Sequence, residues 1–287
     1  MKVCGFSFIR NAVKYSYPVV ESINSVLPLC DHFVIAVGNS EDSTLDLIKS
    51  IGSDKIEIIE TVWDDSLRKG GQVLAVETNK AFDAIKPEYD WCIYIQADEV
   101  IHEKYHAAIK AGMEKWKDHP AVEGLLFKYT HFWGTYDYVA DSRQWYRREI
   151  RVIKNDKQIR SYRDAQGFRK NDKKLNVKLI DAYIYHYGWV KTPDVMVKKL
   201  KDFNKLWHDD EWVKKNVKDI FDYSEIDSVK PFDGDHPKPM QKLITGLNWH
   251  VKIDPYRKKL SFKKKLLQAF EKITGIRLFE YRNYKRI

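Results

Sequence analysis

The first hundred residues alternate short apolar runs with amphipathic stretches, and few folds accept that pattern. Residues 3–9 (VCGFSFI), 32–37 (HFVIAV), 55–62 (KIEIIETV) and 91–97 (WCIYIQA) read as strands. Between them, residues 17–26, 43–51 and 71–84 read as helices, the second opened by Ser43 with an acid, Asp46, at capping-box spacing. Strands separated by helices imply crossover connections and a mainly parallel sheet. Ligands of such sheets bind beyond the carboxyl ends of the strands. Three polar clusters fall at those ends: residues 39–43, Asp64 with Asp65, and Asp98 with Glu99. They are expected to converge on one crevice.

After a helix near residues 103–116 the texture changes. Residues 124–129, 149–154 and 182–187 read as strands, and residues 131–148 are dense in aromatics and arginine. This half is α+β in character, added to the first sheet. Thr192, Pro193 and Asp194 have helix-start chemistry, for a helix running past Phe203. Four residues, Pro231, Gly234, Pro237 and Pro239, mark a loop at 230–239. Ser261 opens a last helix that Gly275 stops. Its apolar side is Leu266, Leu267, Phe270 and Ile273, with Lys263, Lys264, Lys265 and Lys272 elsewhere.

A length of 287 residues suffices for a full core, and the net charge of +9 favours anionic partners. Cys4, Cys30 and Cys92 have neither disulfide nor zinc-ligand spacing, which fits a reducing cytosol. No leader-like segment precedes the strand at residue 3, and no stretch approaches the length of a membrane span. Cytoplasmic localisation is therefore expected, with any membrane contact peripheral, at the inner face and through the C-terminal helix. That helix has two arrangements open to it. Its lysines can meet an anionic membrane, or its leucines can pack on the domain with the lysines in water. The second is commoner for an amphipathic helix and is the expectation.

Read in order, the chain shows Phe8-Ile9-Arg10-Asn11, then Ser25 to Asp31, then Gly38-Asn39-Ser40-Glu41-Asp42-Ser43-Thr44-Leu45. Trp63-Asp64-Asp65, Asn79-Lys80-Ala81 and the run from Asp90 to Glu99 follow. This order resembles the family-2 glycosyltransferases of the GT-A fold, most closely over residues 1–105. The resemblance implies an α/β fold: a Rossmann-like mixed sheet with flanking helices over residues 1–229, and a basic C-terminal helical extension at 230–287. Within the domain, residues 1–105 form the nucleotide-binding half and 106–229 the acceptor half.

By the same resemblance, Asn39 and Asp42 lie in a nucleotide-holding loop and Asp64 contacts the base or ribose. Gln96-Ala97-Asp98 stands where the family carries Asp-x-Asp, so Asp98 is the metal carboxylate and Gln96 departs from the pattern. His186 matches the histidine that completes the shell of Mn²⁺ or Mg²⁺. The implied donor is a UDP- or GDP-linked sugar, and the acceptor a glycan, lipid-linked or protein hydroxyl.

Transfer requires charge stabilisation on the leaving diphosphate and, in an inverting enzyme, a base for the acceptor hydroxyl. Candidate bases are Asp141, Glu149 and Asp164, with Asp164 first. Arg143, Arg147 and Arg148 are candidate diphosphate ligands. The aromatics Trp133, Tyr136, Tyr138 and Trp145 suit sugar faces or core packing equally. Two rival functions are a sugar-nucleotide binder without turnover, which Gln96 admits, and a basic nucleic-acid-binding protein. The second has no helix-turn-helix, zinc-finger or RNA-recognition signature to support it. A nucleotidyltransferase would need a glycine- and arginine-rich loop that residues 6–14 lack.

Overall fold

A computed structural model describes residues 1–287. The first half comprises β1 (Val3–Ile9), α1 (Val19–Val26), β2 (His32–Gly38), α2 (Thr44–Lys49), β3 (Ile56–Thr61), α3 (Gln72–Ala84), β4 (Trp91–Tyr94), β5 (Glu99–Ile101) and α4 (His106–Trp116). The chain continues with β6 (Gly124–Trp133), β7 (Tyr138–Ala140), β8 (Arg148–Lys154), β9 (Ile159–Tyr162), β10 (Gly167–Lys170), β11 (Lys173–Lys174) and β12 (Asn176–Trp189), of which β9, β10 and β11 form a small sheet of their own. After these come α5 (Pro193–Asn204), α6 (Asp210–Asn216), β13 (Val229–Pro231), α7 (Gln241–Thr245), α8 (Phe262–Thr274) and β14 (Lys285–Arg286).

β3, β2, β1 and β4 lie side by side and parallel. β8 runs antiparallel between β4 and β6, and β6 pairs parallel with β12. β5 lies antiparallel on β12. The result is a mixed parallel and antiparallel α/β sheet. Strands β1, β2 and β4 are buried on both faces, which explains their unbroken apolar runs. Phe33, Ile35, Trp91 and Ile93 pack on the side of α1 and α4, while Phe6, Val34, Cys92 and Tyr94 pack against α3. All three cysteines are buried and unpaired.

Three local expectations change. Ser43 makes no capping bond; Asp42 instead accepts from the Thr44 amide at 3.0 Å. The run at 91–97 is no single strand, because a turn at residues 95–98 separates β4 from β5. The last helix, α8, keeps the expected start and stop, with Ser261 accepting from the Lys264 amide and Gly275 at φ 69°. It does not pack its apolar side on the domain. Glu271 faces the domain and meets Arg143, Arg147 and Arg277, Gln268 donates to the Asp141 carbonyl, and Phe262, Leu266 and Ile273 face outward. Ion pairs to residues far back in the chain decided that orientation, and helical periodicity does not encode them.

The turn between β4 and β5 is built around a buried ion pair. Arg151 donates through Nε and Nη2 to the two oxygens of Glu99, both at 2.7 Å. Tyr129 donates its hydroxyl to the same carboxylate at 2.7 Å, and the Gln96 amide reaches it at 3.2 Å. The guanidinium lies over the rings of Tyr94 and Tyr129. Both charged residues are excluded from solvent, so loss of one partner strands the other. Glu99→Gln or Arg151→Met alone is expected to cost about 3–5 kcal/mol in urea unfolding. The Glu99→Leu/Arg151→Met double variant should cost clearly less than the sum of its singles.

Candidate active site

Glu99, the first residue of β5, turns inward to Arg151, while Asp98 in the turn before it lines the cavity. The antiparallel register of β5 on β12 sets Glu99 opposite His186. The Tyr187 amide donates to the Asp98 carbonyl at 2.8 Å, which ties the turn to β12. These contacts bring His186 Nε2 to 3.7 Å from Asp98 Oδ2. Lys199, from α5, places Nζ 3.4 Å from the same oxygen and donates to the Gly188 carbonyl at 2.9 Å.

The hydrogen bonds also decide where the proton of His186 resides. His131 Nε2 lies 2.6 Å from the Tyr146 carbonyl, which can only accept, so Nε2 carries the hydrogen. In neutral His131 the other nitrogen, Nδ1, is then an acceptor. It lies 3.1 Å from His186 Nδ1, which must be the donor. His186 is left with a bare lone pair on Nε2, facing Asp98. Burial pushes the His131 pKa down to about 3, consistent with a neutral ring. Burial also holds His186 below the usual imidazole range, with Asp98 opposing. Burial works against ionisation of Asp98, but neighbouring positive charge, Lys199 included, outweighs it and holds the carboxyl low.

A lone-pair nitrogen and a carboxylate oxygen facing each other fit a shared cation, and a histidine oriented by a second residue is the usual support for a metal ligand. Asp98 and His186 would hold Mn²⁺ or Mg²⁺. No group of three or more His, Cys, Asp or Glu side chains converges, so the protein offers two donors. Phosphates of a ligand would supply the rest of the shell. The sequence does not betray Lys199 or His131 as neighbours of this pair, since pairing of β6 with β12 and docking of α5 bring them in.

The pair opens into a cavity of about 1100 Å³. Each of the three strand-end clusters contributes one acid to its lining: Glu41, Asp65 and Asp98. The expected donor residues at the first two ends do not line it. Asn39 accepts from the Trp63 amide at 3.2 Å, and its carbonyl accepts from Arg10 at 3.0 Å. Asp42 accepts from the Lys14 amide at 2.6 Å. Asp64 is turned to solvent and accepts from the Ser66 amide at 2.9 Å. Asp65 takes its place, 2.7 Å from Arg10, whose guanidinium lies 5.5 Å from the Trp63 ring centre. Hydrogen bonding within the turn, which residue type alone does not settle, chose between the two acids.

Gln96 lines the cavity and donates to Tyr94 Oη at 3.2 Å and to the Ala165 carbonyl at 3.4 Å. Asp164 also lines it. Burial raises its pKa, and its Oδ1 has no hydrogen-bond partner. Its neighbours Arg163 and Ala165 both hold left-handed backbone, at φ 54° and 59°, so the loop is strained around it. Glu149 lines the same space, pushed up to about 8 by burial. Asp141 does not line it; it is engaged by Ser228 and Lys258.

Arg143 reaches the rim, but its donors are taken by Glu271 at 2.6 Å and by the carbonyls of Leu267 and Leu278. Arg147 is held by Glu280 and Glu271. The two arginines fasten the C-terminal segment instead of presenting free donors to a diphosphate. Of the aromatic set, Trp145 lines the cavity and Trp133 is core. Tyr136 and Tyr138 lie outside the lining.

No family model and no curated protein matches the chain. Among solved structures it is similar to TarS of S. aureus, at 13% identity and TM-score 0.40, covering 70% of this chain and 38% of that one. With residues 1–349 of TarS in complex with UDP the values are 15% and 0.41, covering 70% and 64%. It is also similar to 4-diphosphocytidyl-2C-methyl-D-erythritol synthase from Anaerococcus prevotii, at 10% and 0.40, covering 68% and 93%. A fourth similarity is to glucosyl-3-phosphoglycerate synthase from Mycobacterium tuberculosis in complex with Mn²⁺, UDP and phosphoglyceric acid, at 14% and 0.31, covering 45% and 43%. The chain thus spans well under half the length of the full TarS chain.

Burial of neutral His131 has a pH signature. Its folded pKa of about 3 lies below the ordinary 6.5, so between those values the unfolded chain takes up a proton that the folded chain refuses. Its contribution is fully present above pH 6.5 and falls as pH drops towards 3. Relative to a His131→Asn variant, the wild type should lose up to about 1.4 kcal/mol more per pH unit across that window. Chemical denaturation at stepped pH measures the difference, and parallel curves would rule it out.

Proposed function

We propose that this chain is a glycosyltransferase that moves a sugar from a UDP- or GDP-linked donor to a hydroxyl acceptor, with inversion. The observation that carries the reading is the pair of lone-pair atoms, Asp98 Oδ2 and His186 Nε2, 3.7 Å apart in a large cavity beside Lys199. In this reading Trp63, Arg10 and Asp65 receive the nucleoside at the ends of β1 and β3. Asp98 and His186 would hold a divalent ion, which would supply Lewis-acid stabilisation to the diphosphate. Lys199 adds a fixed positive charge next to it. Gln96 hydrogen-bonds a donor hydroxyl.

Asp164 is the proposed base. It lines the cavity, one of its oxygens is buried without a hydrogen-bond partner, and burial raises its pKa, which makes the carboxylate a better proton acceptor. A sugar-nucleotide binder without turnover is the second reading, favoured by Gln96 where the resembled family has a carboxylate.

Thermal-shift screening of UDP- and GDP-sugars with Mn²⁺ should show stabilisation by one nucleotide class, lost in Asp98→Ala and in His186→Ala. Indifference to every nucleotide with metal present would sink the assignment. Asp164→Asn should retain that thermal shift while donor turnover falls by about 10²–10⁴-fold. Donor binding with no transfer or donor hydrolysis in the wild type would favour the second reading.

A further inference from the structure

Residues 1–250 carry 38 basic and 38 acidic side chains, while residues 251–287 carry 12 basic against three acidic. The entire net charge of +9 therefore resides in the last 37 residues. The same segment holds strongly exposed large apolar side chains, with Phe262 77%, Ile273 85% and Phe279 89% exposed.

These two properties share one face. The polar side of α8 points to the domain: Lys264 pairs with Asp227, and Glu271 with three arginines. The stripe of Phe262, Leu266, Phe270 and Ile273 is left outward, and no residue of α8 is buried. Lys263, Lys265 and Lys272 flank it, are exposed and engage no acid. Beyond the helix, Phe279 holds a left-handed φ of 58° with its ring in solvent. A bulky residue in that region is strained. An amphipathic helix anchored by its charged side and showing its apolar side to water has an orientation that suits an apolar phase outside the protein.

We propose that the C-terminal segment, centred on α8, docks the protein in the plane of an anionic lipid bilayer. The outward apolar stripe enters the head-group boundary and the flanking lysines meet acidic head groups. Charge complementarity selects this occupant: a second copy of the chain would set two faces of the same sign against each other. No helix is long and apolar enough to cross a membrane, so the contact is in-plane. Arg277, Phe279, Glu280 and Tyr281 of the segment also line the cavity. Docking would therefore hold the cavity mouth at the lipid surface, where an acceptor in the membrane is within reach. The docking itself does not depend on the catalytic reading.

Flotation of the full chain with vesicles tests it, using phosphatidylcholine alone or with about a third phosphatidylglycerol. Binding is expected to the anionic vesicles and to fall steeply with salt. Phe262→Asp/Ile273→Asp should lower the partition coefficient about tenfold or more, and Lys263→Glu/Lys265→Glu similarly. Both pairs are exposed, so circular dichroism and melting temperature should match the wild type. Equal partition to neutral and anionic vesicles, or undiminished binding by both variants, would overturn the proposal. So would a lipid-free dimer in sedimentation equilibrium that Phe262→Asp/Ile273→Asp dissolves, since the face would then belong to a second copy.

Discussion

The buried pair between Glu99 and Arg151 is the contact on which the site depends. A carboxylate and a guanidinium removed from water are tolerable only when each satisfies the other, and here both oxygens of Glu99 are taken. Satisfying them requires β5 to leave the line of β4, through a turn whose Gln96 amide also reaches Glu99. With Glu99 drawn inward at the start of β5, Asp98 stands in the turn just before it and lines the cavity. The register of β5 on β12 then sets His186 beside it. One ion pair in the core thus fixes the position of a carboxylate at the surface of the cavity.

Around that carboxylate, hydrogen bonds convert position into chemistry. The Tyr146 carbonyl fixes the proton of His131, His131 fixes the proton of His186, and a lone pair is left where a cation is useful. Lys199 adds charge to the same oxygen from a different element. The arginines of the β7–β8 segment, chemically the best diphosphate ligands on paper, are committed to Glu271 and Glu280. The C-terminal segment thereby becomes part of the cavity wall, and α8 is turned with its apolar stripe to solvent. Site and docking face follow from the same set of ion pairs.

Much of the fold was legible in the sequence because burial on both faces of a parallel sheet leaves unbroken apolar runs. Residues 3–9 and the helix starting after Ser261 appear in the structure as read, since strand burial and the Ser261 and Gly275 capping geometry are local. Thr192 opens α5 without its expected side-chain cap, Pro193 and Asp194 being sufficient. The break after Tyr94 was not legible, because it serves Arg151 more than fifty residues away. The choice of Asp65 over Asp64 is local instead: an Asp64–Ser66 turn absorbs the first acid, which residue type alone does not indicate.

The sequence by itself determined the alternation of strands and helices, the strand ends at which polar groups gather, and the residue types there that suit a diphosphate and a metal ion. Those features depend on neighbours within a few positions, so a linear reading recovers them. Only the tertiary structure decided which acid at each end faces the cavity, which nitrogen of His186 is free, which cations remain available and which side of α8 meets solvent. Most of those outcomes turn on a partner more than fifty residues distant, and no local pattern specifies such a partner.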